Sequence, residues 1–256
     1  MDLKRLKNVW KCRFTLIELL IVITILIILA ALLLPVLGRA RAMARAALCL
    51  SNVHQWGLAF HLYVDEYEQP FPCNHRVVQF GFLYPYIADL NAVALCPETQ
   101  RVPGTGALMG TADRIWRYRS WEGGYGLNGF WYASHGIHNG GSGYIGGGSI
   151  WPDAWFDSYA RVSHPENSPV FLDAVWVDGW PRNGALVPDN FYDPTHGKRS
   201  PSARTDHSMD RFFVNRHPQV AINVTFSDGH AAKVRLAELW NLEWSRVFVP
   251  EGIKAF

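Results

Sequence analysis

A chain of 256 residues, 49% of them apolar and 14% aromatic, is long enough for one large domain or two small ones with a real core. Its net charge of +2 is close to neutral, and no basic face or stripe runs through the second half, so composition implies no nucleic acid partner. Charge is concentrated only at the start, where Lys4, Arg5, Lys7, Lys11 and Arg13 stand against a single Asp2. That is the pattern of a cytoplasmic flank under the positive-inside rule.

After this basic leader, residues 1–13, comes Phe14-Thr15-Leu16-Ile17-Glu18 and then nineteen residues without a charge, Leu19 to Leu37. Phe14 to Leu37 would form a helix of roughly 36 Å, against about 30 Å of bilayer hydrocarbon, so 14–37 is expected to span a membrane. A cleaved secretory peptide fits poorly, because its apolar core runs to only about 7–15 residues and because Arg39 and Arg41 fall where its cleavage site should lie. A plain anchor explains the length but not Glu18. A carboxylate at the lip of such a segment costs on the order of 2.5–3.5 kcal/mol on insertion scales and asks for a partner, for which a second copy of the chain is the natural candidate.

Arg13-Phe14-Thr15-Leu16-Ile17-Glu18-Leu19-Leu20-Ile21-Val22-Ile23 resembles the class III signal of prepilins and pseudopilins, a glycine followed by Phe-Thr-Leu-Ile-Glu and an apolar helix. The resemblance implies that a prepilin peptidase cuts before Phe14 and methylates the new amine, and that Glu18 meets that amine on a neighbouring subunit. Arg13 stands where the family has glycine. Pro35 falls where many pilin helices carry a proline, which would remove one backbone hydrogen bond there.

The helix is expected to continue through an extension over 38–67. Met43, Ala47, Leu50, Val53, Gly57, Phe60 and Val64 recur at steps of three and four, with Arg39, Arg41, Arg45, Asn52 and Gln55 opposite. A single helix from about Leu16 to Tyr63 would be roughly 70 Å long.

From residue 68 to 256 the chain reads as a globular head, rich in Gly, Pro, Trp, Tyr and Asn, with short strands bounded by turn residues. The strand candidates are Val170 to Leu172, Ala174 to Val177, Val220 to Phe226 and Ala231 to Leu236. Seven glycines between Gly136 and Gly148 lack the helix and Lys-Ser or Lys-Thr of a phosphate loop, so a surface loop is expected there, and another from Pro188 to Asp210. Leu236, Leu239, Trp240 and Trp244 have helical spacing and suggest a short closing helix packed on the sheet.

Asn223 to Phe226 followed by Ser227-Asp228-Gly229-His230 is a hairpin signal, with Asp228 and Gly229 as a type I′ turn. The functional alternative is a metal site from His217, Asp228 and His230, although the ligand count is short and the spacing follows no closed-site pattern. The same stretch is similar to the C-terminal signature of a prepilin-related bacterial family of planctomycete and verrucomicrobial type, a His, nine residues, then Asp-Gly. Here ten residues separate His217 from Asp228. Cys49-Leu50-Ser51-Asn52, Leu95-Cys96-Pro97, Tyr125-Gly126-Leu127-Asn128 and Leu172-Asp173 extend that resemblance along nearly the whole chain.

Cys49, Cys73 and Cys96 would lie beyond the membrane, where one disulfide has three possible pairings, Cys73 with Cys96 among them. Calcium, held by some pseudopilins, would draw on Asp173, Asp178, Asp189 and Asp193, but these lack Asp-x-Asp-x-Asn spacing.

The expectation is therefore an α+β, pilin-like chain with a long N-terminal transmembrane helix on an antiparallel sheet with long loops, not an enzyme, with neither cofactor nor metal. It would be single-pass in the inner membrane, N-terminus cytoplasmic and head periplasmic or extracellular. As a structural subunit of a pseudopilus or pilus, in a type II secretion or type IV pilus-like system, its partners would be other pilin-like subunits, a prepilin peptidase and membrane lipid. The alternatives are a membrane-tethered binding module and a metal-dependent enzyme built around His217 and His230.

Overall fold

The structure, a computed structural model, describes residues 15–68, 71, 79–132, 153–156, 158–185 and 209–254. Arg13, Phe14, Cys73, the glycine-rich stretch and nearly all of the loop expected from Pro188 lie outside the described residues.

Helix α1 runs over Leu16–Tyr67 and passes through Pro35. Its start is set by a capping box: the Thr15 N–H donates to Glu18 Oε2 at 2.8 Å, and the Glu18 N–H donates to Thr15 Oγ1 at 3.2 Å. The chain divides into two units, Met1–Met43 and Ala44–Phe256. In the first, residues 15–41 are exposed throughout, and this stretch of α1 is long and apolar enough to cross a membrane.

In the second unit α1 buries Ala46, Cys49, Asn52, Val53, Trp56, Gly57, Ala59, Phe60 and Tyr63. The stripe expected from sequence is thus rotated. Met43 and Ala47 are exposed, whereas Asn52, assigned to the polar face, is buried. Burial of this amide is satisfied because its Nδ2 donates to the Ala92 and Leu95 carbonyls at 3.4 and 3.2 Å. Gly57 sits directly over the sheet, since a Cβ there would lie 2.2 Å from Thr225 Oγ1.

Two short helices, α2 (Gln79–Leu83) and α3 (Leu90–Val93), precede a two-stranded sheet of β1 (Trp116–Tyr118) and β2 (Trp121–Gly123). The main sheet contains β3 (Tyr125–Asn128), β4 (Pro169–Asp173), β5 (Asp178–Gly179), β6 (Ala221–Phe226) and β7 (Ala231–Arg235), in the order β5-β3-β4-β6-β7. It is mixed rather than antiparallel, because β5 pairs parallel to β3. The strand expected over Ala174 to Val177 is a bend, and pairing resumes only at Asp178. The layout is α+β.

Strands β4 and β6 are buried along their whole length because both faces of the sheet are covered. Trp56, Phe60, Phe71 and Trp131 pack with Phe171 in one cluster. Leu172, Ile222 and Val224 join Phe212, Phe213, Trp240 and Trp244 in the other. The closing segment is a 3₁₀ helix over Leu236–Asn241, and Trp240 and Trp244 are in the core. β7 closes the sheet with Lys233 and Arg235 exposed, charges that discourage pairing at an open edge.

Candidate functional site

Four ionisable side chains from four parts of the second unit meet in its interior. Cys49 comes from the buried face of α1, Cys96 from the segment after α3, Asp173 from the end of β4, and His217 from the residues before β6. All four are buried, and one donor atom from each lies within 4.8 Å of the others. His217 Nε2 is 3.0 Å from Asp173 Oδ2, 3.1 Å from Cys49 Sγ and 3.7 Å from Cys96 Sγ, and Cys49 Sγ is 3.4 Å from Asp173 Oδ1.

Local structure aims each group. Asn52 and Trp56, one and two turns beyond Cys49, bind the carbonyls of Ala92, Leu95 and Val93, so the helix that carries one thiol also holds the segment that carries the other. The Cys96 carbonyl then accepts from the Thr99 N–H and Oγ1 at 2.8 and 2.7 Å, closing a turn. Gly124 lets Cys96 come close: a Cβ at 124 would lie 2.9 Å from the Cys96 nitrogen and 3.0 Å from its Cβ. His217 opens a tight turn in which Gln219 and Val220 take φ of 73° and 56°, and its N–H reaches the Ala221 carbonyl. Positive φ at a β-branched residue is a strained arrangement that only the surrounding packing sustains.

Arg216 organises the rest. Its guanidinium is wholly buried and offers five N–H donors. Nε donates to the Ala112 carbonyl at 3.1 Å. Nη1 donates to the Gly124 carbonyl and to Asp173 Oδ1, the latter at 3.1 Å. Nη2 donates to the Thr111 and Ala174 carbonyls at 3.0 and 3.2 Å. Every donor therefore has an acceptor, as a buried charge requires. Asp173 Oδ2 in turn accepts the Asn223 N–H at 2.7 Å.

These contacts decide protonation. Burial would raise the Asp173 carboxyl, but the charge and hydrogen bond of His217, the charge of Arg216 and the Asn223 N–H hold it at about 2. Burial would lower His217, and Asp173 outweighs it, lifting the imidazole to about 10. The thiols split: burial pushes Cys49 up, whereas Cys96, against the same penalty, is held at about 6 by hydrogen bonds from Cys49 and His217 and the charge of Arg216. Tyr125, whose hydroxyl lies 3.1 Å from Cys49 Sγ, is raised, first by burial and then by the thiols.

Comparison of the chain with known protein families, curated proteins and solved structures finds no match in any of the three. The donors themselves therefore define what the site can do. Four buried donors converging on one point suit holding a cation.

The residues singled out from sequence fall in three places. Glu18 closes the capping box at the start of α1. His217 belongs to the buried cluster. Asp228, Gly229 and His230 lie at the opposite end of β6, about 18 Å along a six-residue strand. There His230 Nδ1 is 2.6 Å from Asp228 Oδ1 and the imidazole stacks on Phe226 at 4.3 Å between ring centres. The ligand set of His217, Asp228 and His230 is thereby corrected: β6 separates its members. The turn is corrected too. The Gly229 N–H bonds the Phe226 carbonyl, and only Gly229, at φ 92°, has positive φ, which makes a three-residue loop rather than type I′.

Two further expectations change. Cys96 is a free thiol beside Cys49 rather than bonded to Cys73. Of the calcium candidates, Asp173 pairs with Arg216 and Asp178 with Arg211, each at 3.1 Å, while Asp189 and Asp193 lie outside the described residues. Sequence reading missed Cys49, Cys96, Asp173 and Arg216 as members of one site. Each lies in a short stretch singled out from sequence (Cys49-Leu50-Ser51-Asn52, Leu95-Cys96-Pro97, Leu172-Asp173, Arg216-His217), but nothing within those stretches signals that they meet.

Proposed function

We propose that the chain is a membrane-anchored structural subunit of a pilus- or pseudopilus-like assembly. The observation that carries this reading is the first stretch of α1, in which every residue from 15 to 41 is exposed and Leu19 to Leu37 carry no charge. Apolar surface on that scale finds its solvent in lipid or in copies of itself. Glu18 sits at the head of this stretch. Both bonds to Thr15 fall on Oε2, and a carboxylate has about four acceptor sites, so capacity remains for an amine from a neighbouring subunit.

The cap and the assembly role are separable. Glu18→Gln keeps a residue that completes a capping box and removes the charge, whereas Glu18→Ala removes both. If Glu18 pairs with a subunit amine, both variants reach the membrane and neither enters sheared filaments. Incorporation of Glu18→Gln at the native level would overturn the pairing. Mass spectrometry of native protein is expected to find a terminus at methylated Phe14. Chains retaining residues 1–13 and present only as isolated monomers would end the subunit reading.

A further inference from the structure

We propose that Cys49, Cys96, Asp173 and His217 bind one zinc ion in a closed, structural site that fastens α1 to the main sheet. This goes beyond the subunit reading and beyond the metal-free chain expected from sequence.

The first argument is a shortage of protons. His217 Nε2 stands within 3.0–3.7 Å of a carboxylate oxygen and two sulfurs, yet it carries at most one hydrogen. One cation at the centre of the group satisfies all of them at once. Nδ1 of the same ring is buried and has no hydrogen-bond partner among the described residues, so Nε2 is the side from which the imidazole is held.

The second argument is size. Zinc bonds of about 2.3 Å to sulfur and 2.0–2.2 Å to nitrogen and oxygen place tetrahedral donors roughly 3.3–3.8 Å apart. The four contacts of 3.0 to 3.7 Å need shifts of a few tenths of an ångström, and with all four donors within 4.8 Å of one another no pair has to close by more than about an ångström.

Charge provides the third. Two thiolates and a carboxylate bring three negative charges and zinc two positive ones, which leaves one for Arg216, already fixed on Asp173 Oδ1 at 3.1 Å. The buried assembly is then neutral. Binding releases the Cys49 proton and one proton of the His217 imidazolium, so that two thiolates and a neutral imidazole face the metal. Two sulfurs, a nitrogen and an oxygen form a borderline-soft set that selects zinc over the oxygen-seeking calcium and magnesium. With four protein donors and no surface access for any of them, the site is of the structural rather than the catalytic kind.

The test uses the full-length chain, purified in detergent with reductant and without metal-affinity resin. Elemental analysis is expected to find about one zinc per chain, and an organomercurial that titrates thiols should release it. Cys49→Ser and Cys96→Ser should each retain less than about a tenth of it, while Cys73→Ser and Glu18→Gln keep it in full. Unaltered protein exchanged with cobalt(II) gives a readout that does not depend on the site variants keeping their fold. Intense sulfur-to-cobalt charge transfer with tetrahedral d–d bands supports two thiolate ligands, and octahedral bands alone refute them. Chelation should lower Tm by more than about 10 °C, reversed by zinc. Metal-free native protein with a Cys49–Cys96 disulfide, or with two free thiols that bind no added zinc, would overturn the proposal. Retention of zinc by Glu18→Gln separates this outcome from that of the filament experiment.

Discussion

At its two ends β6 faces an aspartate and a histidine, and the pairs are energetically unlike. At the start, His217 and Asp173 are 3.0 Å apart with both side chains at 0% exposure; at the far end, His230 and Asp228 are closer, 2.6 Å, but 44% and 33% exposed. The shorter contact is worth less. Water and ions screen the exposed pair, and such pairs contribute about 0–1 kcal/mol. The buried pair has no such alternative, and its members depend on Arg216, Asn223 and the thiols for every remaining bond. Distance alone does not rank interactions; the medium does.

The hardest way to break that contrast is to remove the guanidinium from the buried end. Arg216→Ala should destabilise the second unit by about 3–5 kcal/mol in denaturant unfolding, because Asp173 keeps only His217 as a charged partner and the buried carbonyls of Thr111, Ala112, Gly124 and Ala174 lose a donor. Arg216→Lys should recover little, since an ammonium offers three donors where five acceptors wait. Between the two ends, Gly57→Ala drives a methyl to 2.2 Å from Thr225 Oγ1 and should cost about 1–3 kcal/mol. A double-mutant cycle with Thr225→Ala should show coupling that relieves part of this, and strict additivity would mean the helix simply lifts away. The smallest effect sharpens the contrast. His230→Ala should change stability by less than about 1 kcal/mol and leave the hairpin intact, because Gly229 and the ladder to β7 set that turn.

Much of this was readable in the chain. The uncharged run and the steps of three and four announced one continuous helix. Val170 to Leu172, Val220 to Phe226 and Ala231 to Leu236 announced strands within a residue of their observed ends, because apolar runs there are bounded by turn-forming residues. The stripe on α1 was misplaced because Asn52 is polar, and its burial is licensed only by carbonyls some forty positions away. β3 was missed because Gly123, Gly124 and Gly126 look like a loop. In the fold they are close approaches: a Cβ at 126 would meet the Trp176 carbonyl at 2.5 Å. The members of the buried cluster were each visible in short motifs, but their meeting depends on a strand order that no local pattern encodes.

The link between Cys49 and His217 spans 168 positions of chain. At ribosomal speeds of about 5–20 residues per second, the helical thiol waits roughly ten to thirty seconds for its imidazole to be synthesised. Until then the head is an unclosed loop with its cysteines open to oxidants and stray partners. A nascent chain of this kind needs shelter during that interval, and any truncation before His217 would leave Cys49 permanently without its imidazole.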